Sequence, residues 1–124
     1  MKAAIIRPDE ADEYFTPECC HILEMSNSRA DEALSIARAR VEPGVTTRLH
    51  RLAGTTERYV VLSGTGRVEV GDLPATNVKC GDIVLIPPEI DQRITNTGDE
   101  DLFFLALCTP RFLQESYKDT HLED

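Results

Sequence analysis

The sequence predicts an all-β fold, a sandwich or closed antiparallel barrel, on three observations. Its apolar runs are short. Clusters of turn-forming residues separate them at regular spacing: Glu42-Pro43-Gly44, Ala53-Gly54, Ser63 to Gly66, Gly71-Asp72, Cys80-Gly81-Asp82, Pro87-Pro88 and Thr97-Gly98-Asp99. No rhythm of strand, long amphipathic helix and strand appears, so a parallel βαβ sheet is not expected.

The expected strands, in order, are Ala3–Ile6, Cys20–Met25, Ala33–Val41, Val45–His50, Glu57–Leu62, Gly66–Val70, Ile83–Ile86, Gln92–Thr95 and Leu102–Cys108. Each is an apolar or alternating run bounded by turn residues. Alternation assigns faces. Thr46, Arg48 and His50 are expected on one side of their strand. Glu57, Tyr59 and Val61 share a face of the next, and Val68 and Val70 point inward opposite Arg67 and Glu69. Val60, Leu62 and Leu102 to Leu105 are apolar on both faces, which suits a strand covered by a second sheet or a subunit partner. Short helices are expected at Ser28–Glu32 and near Phe112–Lys118, and the chain is expected to fray from Asp119 on.

The 124 residues fit one domain spanning 1–124, with no linker or repeat. Twenty-two acids against 13 bases give a formal charge of −9. That charge repels phosphate backbones and anionic lipid, so neither a nucleic acid nor a membrane partner is expected. The opening MKAAIIRPDE carries too short an apolar run for a signal peptide, and no stretch approaches a membrane span. Cys19, Cys20, Cys80 and Cys108 form no C-x-x-C pair. Reduced structural thiols in a cytoplasmic protein are the expectation.

Two segments carry the chemistry. The first reads Gly44-x5-His50-x-Leu52-x4-Glu57-x6-Gly64; the second reads Gly81-x5-Pro87-x-Glu89-x2-Gln92-x3-Asn96. Together they resemble the two signature motifs of the cupin superfamily, G-x5-H-x-H-x3,4-E-x6-G and G-x5-P-x-G-x2-H-x3-N. The chain is identified on residues 44–96 as a small single-domain bacterial cupin. The resemblance implies a double-stranded β-helix, or jelly-roll, barrel. It also implies a homodimer, with Ala3–Ile6 and Cys20–Met25 at the interface. Physical roles agree with the motif: Gly44 and Gly64 suit turns that need a positive φ, and Pro87 fixes φ at a strand entrance.

The resemblance places a metal site at His50, Glu57 and Gln92, with iron, manganese, nickel or zinc as the divalent ion. Metal-binding cupins use three histidines and a glutamate. Here Leu52, which has no donor, and Gln92, a neutral oxygen donor weaker than imidazole, stand at two histidine positions. Two readings stay open. In one, His50, Glu57 and Gln92 hold a metal. In the other, His50 and Glu57 hydrogen-bond each other, or Glu57 pairs with Arg48, in a metal-free pocket.

Around this centre, Arg48 is a candidate for a substrate carboxylate or a partner for Glu57. Tyr59 offers a phenol to a ligand or packs with its hydroxyl satisfied. Cys108 ends a strand that lines the barrel, as a ligand or a core thiol. Glu89 stands at the family's glycine position, so its turn either takes a shape open to other residues or carries strain; its carboxylate lies at the pocket rim or in solvent. His21 reads as structural and His121 as solvated. Three functions remain: a metal-dependent enzyme on a small organic metabolite (dioxygenase, isomerase, decarboxylase or lyase), a metal-free small-molecule binding or sensing domain, and a structural barrel with a vestigial site.

Overall fold

The computed structural model describes residues 1–121. Among these residues eleven strands form two antiparallel sheets: β1 Tyr14–Phe15, β2 His21–Ser26, β3 Ser35–Val41, β4 His50–Leu52, β5 Thr56–Ser63, β6 Thr65–Val70, β7 Thr76–Lys79, β8 Ile83–Ile86, β9 Gln92–Asn96, β10 Leu102–Thr109 and β11 Tyr117–Asp119. One sheet runs β1-β2-β3-β10-β5-β8 and the other β11-β4-β9-β6-β7. Facing each other, they make the expected jelly roll.

Alternation drives the core. In β5, Glu57, Tyr59 and Val61 are buried, and in β6 Gly66, Val68 and Val70 are, as their spacing predicts. These side chains meet Val41, Ile86, Ile94, Leu102 and Phe104 from the facing strands. Several of these large side chains are almost fully excluded from water, each worth roughly 1.5–3 kcal/mol of burial. Asn96 ties the sheets at the second motif's end. Its amide donates to the Val41 carbonyl at 2.8 Å and the Glu100 carbonyl at 2.7 Å, and its oxygen accepts the Gly98 N–H. Gly64 turns with φ +87°, and a side chain there would put a Cβ 2.9 Å from the Asp101 carbonyl oxygen. Gly44 likewise has φ +77°.

Several expectations are corrected. Ala3–Ile6 forms no strand, because no ladder among the described residues takes it up. The strand expected at Cys20–Met25 begins at His21. Val45–His50 is not continuous strand. Thr46 makes an isolated bridge to Thr95, the Arg48 N–H leaves the sheet for the Glu18 carbonyl, and pairing resumes only at His50. Thr47 and His50, rather than Thr46 and His50, therefore point inward. The two expected helices are single 3-10 turns, Arg29–Asp31 and Gln114–Ser116. Asp119 does not fray: it pairs with His50 in β11, and the next N–H, of Thr120, donates to the Leu49 carbonyl. Residues 122–124 of the expected frayed tail lie outside the described residues. Among the described residues no helix is long and apolar enough to cross a membrane.

Candidate functional site

His50 stands at the start of β4, between β9 and β11, and Glu57 stands near the start of β5. The loop Ala53–Thr55 joins their strands. Glu89 holds that loop: its carboxylate accepts the Gly54 N–H at 2.8 Å and its own N–H donates to the Leu52 carbonyl. Glu89 does this with φ +67°, so it bears the strain that glycine would avoid, of order 1 kcal/mol, and offsets it with those bonds.

The cavity is a pair of connected chambers. An inner one of about 60 Å³ is lined by His50, Leu52 and Tyr59, and an outer one of about 200 Å³ by Arg48, Cys108 and Asp119. Glu18, Ile22, Glu57, Ala106, Phe112 and Tyr117 line both, so Glu57 stands where they meet.

His50 has a fixed tautomer. Its Nδ1 lies 2.8 Å from the Arg48 carbonyl, which can only accept, so Nδ1 carries the hydrogen. The lone pair of the neutral ring is then on Nε2, 3.7 Å from the Glu18 carboxylate. Tyr117 of β11 stacks on the imidazole with ring centroids 4.9 Å apart. A protonated His50 favours the Glu57 carboxylate, while the hydrogen bond of His50 goes to the Arg48 backbone. Burial raises the Glu57 carboxyl above the ordinary carboxylate range; His50 and the Gln92 amide oppose the rise. Glu57 Oε2 accepts from the Cys108 thiol at 3.7 Å, and Oε1 is buried with no hydrogen-bond partner.

Gln92 lies behind Glu57, only 1% exposed. Its side-chain oxygen accepts the Tyr59 hydroxyl in a short hydrogen bond, and its Nε2 is buried without a formed bond. Tyr59 thus has its hydroxyl satisfied inside the core and packs against Phe104. Arg48 does not pair with Glu57; its Nε donates to Asp119 at 2.9 Å, because the departure of residues 46–49 from the sheet turns it toward β11. Cys108 is a core thiol: burial and the neighbouring Glu57 carboxylate hold it well above the ordinary thiol range, so it is no ready nucleophile. All four cysteines are free. His21 pairs with Glu42 and His121 is exposed.

Glu18 was not singled out by the sequence. Arg38 and Arg40 grip Glu10 and Glu13, β1 then pairs with β2, and the chain turns sharply at Cys19 with φ +73°. That path lays Glu18 over the cavity. A Pro-Glu-Cys-Cys loop carries no periodicity that would have revealed it.

Among the described residues the donors as placed do not cradle an ion. Leu52 offers the inner chamber only carbon. The Gln92 oxygen is turned to Tyr59, and an amide N–H presents positive charge to a cation. Among the described residues no three His, Cys, Asp or Glu side chains converge so as to hold an ion. What the arrangement offers is an imidazole lone pair beside a carboxyl that keeps its proton longer than usual, a pairing suited to moving protons.

Comparison with known proteins agrees with the fold. A family model described as a cupin domain matches residues 37–108. An uncharacterized protein of Methanocaldococcus jannaschii is 30% identical over 124 residues, covering 98% of this chain and 96% of that one. An oxalate-binding protein of Thermotoga maritima is 33% identical over 92 residues, 73% of each chain. The crystal structure of a predicted oxalate decarboxylase from Thermotoga maritima superposes with a TM-score of 0.76 at 24% identity, over 86% of this chain and 99% of that one.

Proposed function

The chain belongs to the cupin family, and we propose that it is a metal-independent member that binds a small molecule in its cavity, with His50 and Glu57 placed to exchange protons with it. The observation that carries this reading is the Tyr59–Gln92 hydrogen bond, which turns toward Tyr59 the oxygen that could have replaced the missing histidine, and Gln92 lines neither chamber. With leucine at position 52, His50, Glu57 and Glu18 line the inner chamber but, among the described residues, do not converge as a tightly held ion requires. His50 and Glu57 do line a cavity open to a ligand.

A second reading, a metal-dependent enzyme acting on an organic acid, is favoured by the oxalate-binding relative. It needs a cation that the donor set as placed does not cradle, and the Arg48 guanidinium that would meet the acid already shares its charge with Asp119.

The test is thermal unfolding against a chemically broad panel of small metabolites, with metal chelated throughout. The reading expects at least one class to raise the melting temperature in wild type and not in Ala106→Leu, which narrows both chambers. A panel without effect in chelator, with stabilisation appearing only when a divalent ion is added, supports the second reading instead. A homodimer belongs to the same proposal. Ile5 and Ile6, at 80% and 53% exposed, give the N-terminal arm an apolar surface for a second copy. A monomer in sizing chromatography at micromolar concentration removes that part.

A further inference from the structure

We propose that the cavity selects a small organic cation carrying N–H groups, a primary ammonium, seated with its charged end at Glu57 and its body along Ala37, Ala106 and Phe112. This rests on the pocket reading above and names the class of ligand the pocket takes.

Three independent features point there. The first is charge. The outer chamber is lined by four carboxylate side chains, Glu18, Glu24, Glu57 and Asp119, against a single base, Arg48. Arg48 is already engaged by Asp119 at 2.9 Å. Arg111, which acts on Glu24 through its charge, donates to Asn27. An entering anion therefore meets four acids and one guanidinium whose charge Asp119 already offsets, while a cation meets Glu18 and Glu57. The net charge of −9 steers ligands the same way.

The second feature is the orphaned oxygen. Glu57 Oε1 is buried where the chambers meet and accepts no formed hydrogen bond; the Gln92 amide nitrogen turned toward this carboxyl is equally unbonded. A buried acceptor without a formed bond is costly, so an N–H or O–H brought to it from the cavity side is stabilised there. A hydroxyl could supply one but would leave the neighbouring Glu18 charge unanswered. An ammonium does both. The third feature is aromatic: Tyr14, Phe112 and Tyr117 line the outer chamber, and ring faces attract cations. The chamber's 200 Å³ lies below the usual range of roughly 300–1,000 Å³, which limits the ligand to one ring or a short chain.

The experiment is calorimetric titration of the full chain with shape-matched probes: benzylamine, benzyl alcohol and benzoate, with tetramethylammonium and oxalate alongside. Benzylamine is expected to bind at least about tenfold more tightly than each of the others. Tetramethylammonium fails for want of an N–H. Glu18→Gln is expected to remove most of the preference for benzylamine over benzyl alcohol. If Glu18→Gln does not fold, Glu24→Gln at the exposed rim is expected to weaken the same preference. Tighter binding of benzoate or oxalate than of benzylamine overturns the cation and leaves the pocket reading standing. Binding of no probe overturns the cation, and with a silent metabolite panel overturns the pocket as well. Benzylamine affinity unchanged in both Gln variants places the amine outside the cavity and also overturns the proposal.

Discussion

Tyr59 on β5 donates its hydroxyl hydrogen to the side-chain oxygen of Gln92 on β9, across the interior between the two sheets. Both residues are almost completely buried, at 4% and 1% exposure. The bond fixes the amide with its oxygen toward Tyr59 and its nitrogen toward Glu57. At this position a histidine would point a lone pair at the centre of the barrel; glutamine here belongs to the wall behind Glu57.

Tyr59→Phe should therefore destabilise the fold without changing its shape. The Gln92 oxygen would be left buried and unpaired, a cost of about 1–3 kcal/mol. Urea unfolding at neutral pH measures it. A variant as stable as wild type would mean that the pair contributes nothing.

Glu57→Gln should stabilise the protein, and the gain should depend on pH. Burial raises the folded Glu57 above 4.5, the value the unfolded carboxyl keeps. Between 4.5 and the raised folded value, the folded chain binds more protons than the unfolded one, so wild-type stability falls as pH rises. Below that window the carboxyl is neutral in both states and the penalty vanishes. Melting temperatures of the two proteins should converge in acid and separate as pH rises through the window. A constant difference across pH would contradict this origin of the effect. A stability gain at the cost of ligand binding is the expected mark of a functional site.

Arg48→Ala should loosen β11 locally. The Arg48–Asp119 pair is part-exposed, at 29% and 40% of the side chains, so global stability should fall by no more than about 1 kcal/mol. Hydrogen exchange should nonetheless quicken at Lys118 and Asp119, the edge strand that shelters His50. Unchanged exchange there would show that the backbone ladder alone holds β11.

The barrel was legible because its long strands are self-describing. β5 and β6 alternate cleanly, and Gly44 and Gly64 mark turns whose positive φ only glycine takes easily. The short edge strands β1, β7 and β11 were missed, since two to four residues hold too little pattern and form only against distant partners. Val45–Leu49 reads as a strand by composition, yet the Glu18 carbonyl draws the Arg48 N–H out of the sheet. At the site, spacing located His50, Glu57 and Gln92 in one interior. It could not show that Tyr59 would take the Gln92 oxygen, that Arg48 would turn to Asp119, or that Glu18 would arrive from a loop. Each of those depends on residues distant in sequence, through contacts that periodicity does not encode.

Metal titration tests the central claim most directly. Protein stripped with chelator is titrated calorimetrically with iron(II), manganese, nickel and zinc, beside Leu52→His/Gln92→His, which supplies the two imidazoles the wild type lacks. The account predicts no saturable binding at the wild-type cavity and one ion per chain in the double variant. Stoichiometric binding by wild type, abolished in folded His50→Ala, would contradict it.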